Sequence, residues 1–80
     1  MITVAQEWAT FESAVLSPSA PAIQRSEMRR AFYAGFYGAL QAGLRMADES
    51  GDDDDLGATM MESLHQECIR FSKDVGAGRA

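Results

Sequence analysis

Cysteine and histidine each occur once in this chain, as Cys68 and His65. A lone cysteine excludes an internal disulfide and fits a reducing cytoplasm. The pair sits at i and i+3 and could share a helix face, but two ligands fall short of the tetrahedral set that zinc needs. A Cys–His nucleophile would further need an orienting group and an oxyanion hole, and nothing in the sequence supplies either. The expected roles are a buried Cys68 and a peripheral His65, with no catalytic residue, no metal and no cofactor.

Basic charge is also scarce: 7 Lys and Arg stand against 12 Asp and Glu, a net charge of −5. Direct nucleic-acid binding is not expected, since it needs a broad basic surface. A partner with a basic surface fits better. No apolar run is long enough for a membrane. The most apolar stretch, Ala31 to Leu44, falls short of the roughly 20 residues a span requires. Glu7 and Glu12 interrupt the N-terminus, which does not read as a secretory signal. No strand-like alternation extends beyond a few residues.

What remains is helical. Thr3 and Gln6 have the spacing of a capping box, and Val4, Trp8, Phe11 and Val15 follow as one apolar face, predicting a helix over about 4–16. The only two prolines, Pro18 and Pro21, end it, because each restricts the residue before it. Ser19 is a candidate N-cap for a second helix over about 21–47, with Ser26 as an alternative. Along that helix Met28, Phe32, Phe36, Leu40 and Leu44 recur at steps of four, beside Tyr33 and Tyr37. Asp48-Glu49-Ser50-Gly51 is a break, and Asp52 to Asp55 cap a third helix over about 54–75. Its apolar positions are Leu56, Met60, Leu64, Cys68 or Phe71, and Val75; residues 76–80 should fray. The predicted fold is all-α: a single three-helix domain, with helices 2 and 3 as a long antiparallel hairpin and the short helix 1 packed across it. An 80-residue chain buries only about 60–65% of its unfolded surface, so helix packing and oligomerisation must stabilise it.

Three groups of residues are candidate surfaces. Asp48, Glu49, Asp52, Asp53, Asp54 and Asp55 form an acidic turn. It lacks the glycine and distal glutamate of a calcium loop, leaving a helix cap or a contact for a basic protein surface. Arg29, Arg30 and Tyr33 are of the types enriched in binding hot spots. Ala31, Gly35, Ala39 and Gly43 form a row of small residues. Each mid-helix glycine costs about 0.5–1 kcal/mol relative to alanine. Close approach of another helix, from the same chain or a second copy, would offset that cost.

The segment Gln24-Arg25-Ser26-Glu27-Met28-Arg29-Arg30-Ala31-Phe32-Tyr33-Ala34-Gly35 resembles one found in short phage and prophage proteins. Those proteins also have an early tryptophan like Trp8, a proline-bearing linker like Pro18 to Pro21, and a last helix similar around Leu64, Glu67 and Phe71. The resemblance implies a phage origin, hence a host bacterial cytoplasm, and carries no activity or catalytic residue with it. Anti-CRISPR proteins and other small acidic phage proteins disable host machines by binding them. By analogy of size, charge and origin, the expected function is a non-catalytic inhibitor of a host defence complex such as a CRISPR effector. The alternative is a homo-oligomeric structural or assembly module of a phage, such as a homodimer, closed through the alanine–glycine row.

Overall fold

The computed structural model describes all residues from Met1 to Ala80; it is 80% helical and contains no strand. The three helices are α1 (Val4–Val15), α2 (Ala22–Ser50) and α3 (Asp54–Gly76). The long α2 and α3 contact each other and the short α1 contacts α2, as the periodicities predict. No helix is long and apolar enough to cross a membrane. The chain divides into two compact units, Met1–Ala42 and Gly43–Ala80.

The first unit begins with the capping box. The Gln6 amide donates to Thr3 Oγ1 at 3.1 Å, and the Thr3 amide donates to Gln6 Oε1 at 3.0 Å. Two of the otherwise orphaned donors at the helix start are thereby satisfied. The chain leaves α1 at Leu16, whose amide still donates to Glu12 O at 3.0 Å. A turn follows, with Pro18 in its second position, where a fixed φ is favourable, and the Ala20 amide donating to Ser17 O at 3.0 Å. Ser19 is consumed within this turn. Its amide donates to Ser17 Oγ at 3.2 Å and the two hydroxyls lie 2.9 Å apart. It therefore does not cap α2, which begins only after Pro21, whose carbonyl accepts from the Arg25 amide at 3.1 Å.

Where α1 meets α2, Trp8, Phe11 and Phe32 form a triangle with ring centroids 5.2 to 5.8 Å apart. Phe36 extends it at 6.1 Å from Phe32. Trp8 is 7% exposed, and it and Leu16 are the buried apolar residues of the chain. Arg25 ties the entry of α2 to α1, pairing with Glu12 at 3.1 Å and donating to Ser17 O at 2.6 Å. The predicted apolar face of α2 is covered only at its start: Leu40 and Leu44 are 55% and 62% exposed. α1 is too short to cover the rest. The 12 residues of α1 span about 18 Å at about 1.5 Å per residue, and α2 has 29 residues, about 44 Å.

The second unit takes in the last turns of α2, the turn and α3. α2 runs on through Asp48, Glu49 and Ser50 to Gly51, whose φ of +55° is a backbone state open mainly to glycine. The Gly51 amide still donates to Ala47 O at 3.1 Å, and the Asp53 amide donates to Ser50 O at 2.8 Å. Asp53 then caps α3, its Oδ1 accepting from the Leu56 amide at 3.0 Å. The start of α3 lies close to the end of α2: a Cβ added to Gly57 would stand 3.4 Å from Ser50 Oγ. No side chain in this unit is buried.

Candidate protein-binding surfaces

The acidic turn divides into two halves with opposite energetics. Asp53 is a cap, and Asp54 and Asp55 occupy the first turn of α3, where negative charge meets the positive end of the helix dipole. Helix formation alone accounts for these three. Asp48 and Glu49 lie in the last turn of α2, which contains no basic residue. There negative charge opposes the dipole, at about 0.3–1 kcal/mol per exposed charge. All six carboxylate residues are exposed, Asp52 in the connecting turn among them. None is part of an ion pair; the ion pairs of the chain are Arg25–Glu12 and Arg79–Asp74, joined by His65–Glu62 when His65 is protonated. Nor do His, Cys, Asp or Glu side chains gather in threes suited to a metal ion.

Arg29 and Tyr33 are brought together, one helical turn apart, with the guanidinium carbon 5.5 Å from the ring centroid. This cation–π contact leaves Arg29 exposed and Tyr33 half-buried, its ring 6.4 Å from that of Phe32. Arg30 is exposed on the same stretch of α2. Tyr33 therefore belongs both to the edge of the aromatic core and to the surface.

The alanine–glycine row bears on the first of its two readings, a close helix of the same chain. A Cβ placed on Gly35 or Gly43 would meet nothing within 4 Å. Ala31, Gly35 and Ala39 are exposed and Gly43 is half-exposed. The helix-propensity cost of these two glycines therefore has no offset from a close neighbour.

Cys68 corrects an expectation, because it is exposed instead of buried. Around it Met61, Leu64, Phe71 and Val75 are all large apolar residues with substantial exposure. A shallow groove lined by Glu67, Cys68, Arg70, Phe71, Ser72 and Asp74 runs along this part of α3. His65 turns to Glu62, with Nδ1 3.7 Å from Oε2. Gln66 Nε2 donates to Glu62 Oε1 at 2.8 Å; that bond, assisted by the charge of His65, holds the Glu62 carboxyl below its usual range. Sequence periodicity singled out Leu64, Cys68 or Phe71, and Val75 but took Met60 in place of Met61, and it marks which face needs cover and not whether the chain provides it.

Comparison with protein-family models, curated proteins and solved structures gives no match. Function is therefore read from the surfaces alone.

Proposed function

We propose that the chain is a non-catalytic protein-binding module that presents its acidic turn to a host protein or complex with a basic surface. The observation that carries this reading is the placement of Asp48 and Glu49. They are exposed at the wrong end of a helix dipole, so helix stability does not explain them. Clustered carboxylates compete with phosphate for arginines and lysines. A host defence complex that handles nucleic acid, such as a CRISPR effector, offers that kind of surface, in keeping with the phage resemblance. Arg29, Arg30 and Tyr33 provide a second contact of hot-spot composition.

The test is affinity capture from host extract with the wild-type chain and the combined Asp48→Asn, Glu49→Gln, Asp52→Asn variant in parallel. These substitutions leave the Asp53 cap intact. Proteins held by the wild type should be lost with the variant and should elute at lower salt than its other contacts. Equal retention and an equal salt dependence remove the acidic turn from the interface. The second reading, a homo-oligomeric structural or assembly module, is favoured by a different observation, the uncovered apolar face of α3.

A further inference from the structure

In α3, Met61, Leu64, Cys68, Phe71 and Val75 follow one another at steps of three, four, three and four. That alternation is the a/d pattern of a two-stranded helical seam. All five residues are exposed, Met61 at 59%, Phe71 at 61% and Val75 at 52%. The unit that contains them, Gly43–Ala80, has no buried side chain. Ordering a residue costs about 1–2 kcal/mol of backbone entropy, and this unit lacks the buried apolar surface that normally offsets it.

We propose that this face of α3 is covered by α3 of a second copy, running antiparallel across a two-fold axis. The charges choose the direction. Asp52 to Asp55 lead into each α3, while Arg70 and Lys73 lie near its end among Glu67 and Asp74, followed by Arg79, which is paired with Asp74. An antiparallel pair sets each acidic start beside the other copy's basic end, whereas a parallel pair would set four aspartates against four. An antiparallel seam also places a positions opposite d positions. Met61 then faces the second copy's Phe71, and Leu64 faces its Cys68. The seam is separate from the acidic turn's proposed host contact and does not depend on that reading. It also differs from the alanine–glycine row, which lies on α2.

Sedimentation equilibrium on the full chain should show a dimer at micromolar concentration. A monomer at about 100 μM with its helix content intact overturns the proposal. Phe71→Asp should weaken the dimer at least about 30-fold, the scale of a central apolar anchor; a wild-type dimer in that variant overturns it. Gly35→Leu enters open space and should leave the dimer unchanged, while its loss would move the interface to the row on α2. Orientation is read by copper-phenanthroline oxidation. Leu64→Cys should form a covalent dimer by joining the introduced thiol to the second copy's Cys68. Efficient coupling of the wild type through Cys68 alone would indicate a parallel seam and overturn the antiparallel one.

Discussion

The two units use similar helices and differ in what the helices enclose. Met1–Ala42 has a local core: Trp8 and Phe11 on α1 meet Phe32 on α2, and Arg25 fastens the joint to Glu12 and Ser17. Gly43–Ala80 has an Asp53 cap, a Gln66–Glu62 bond and an Arg79–Asp74 ion pair, but no buried side chain. The contrast separates two tasks that are often taken as one. Capping and helix propensity decide where a helix starts and stops, at a few tenths to about 2 kcal/mol each. Only burial makes the helix part of a stable whole. Aromatic residues are concentrated in the first unit, and the second has apolar residues without an internal surface to receive them.

The strongest way to break this contrast is to remove the first unit's core. Trp8→Ala should cost about 3–5 kcal/mol, seen as a lowered midpoint in urea unfolding followed by far-UV circular dichroism. A loss below 1 kcal/mol would mean that Trp8 is not the keystone its 7% exposure indicates. Next in size is a matched pair of phenylalanines. Phe32→Ala should destabilise the chain by about 3 kcal/mol or more at any concentration. Phe71→Ala should have its effect only where the protein is concentrated enough to associate. Equal, concentration-independent losses would erase the distinction between the units. The caps come third: Thr3→Ala and Asp53→Ala should each cost about 0.5–2 kcal/mol, measurable by native-state hydrogen exchange within α1 and α3 respectively.

The smallest effect is electrostatic. The Gln66 hydrogen bond, assisted by His65, depresses the Glu62 carboxyl. A depressed carboxylate contributes stability that is present above its unfolded value and lost as pH falls through its folded value. The helicity of α3 should therefore decline on acidification through and below the usual carboxylate range, and Gln66→Ala should flatten that part of the profile. Identical profiles would show that this exposed bond does not bear on the helix.

Local features of the fold were legible because their signals are local. The Thr3–Gln6 box, the turn around Pro18 and the Asp53 cap each depend on residues within three or four positions. The failure at Ser19 is also local: a neighbouring hydroxyl, Ser17, claimed it before the helix could. Leu16 is a further buried residue that the helical stripe did not single out, because it lies one position beyond α1. The predicted core was wrong about Cys68 for a different reason. A hydrophobic period reports that a face requires cover, and the source of the cover is set by the lengths and positions of other elements. The same holds for Gly35, whose small size signalled a close neighbour that the chain does not supply. Of the candidate site, the Arg29–Tyr33 contact follows from i to i+4 spacing. The uneven energetics of the acidic turn appeared only once α2 was seen to run on to Ser50.

The unit without a core has a consequence for the protein's lifetime in a cell. If α3 is completed by a second copy, the folded fraction of Gly43–Ala80 follows mass action. At low copy number its apolar face is open to chaperones and proteases, which remove transiently unfolded chains. Once synthesis outruns removal, pairing protects both partners together. Abundance would then rise steeply above a threshold instead of in proportion to expression, making the gene's dosage part of the protein's behaviour.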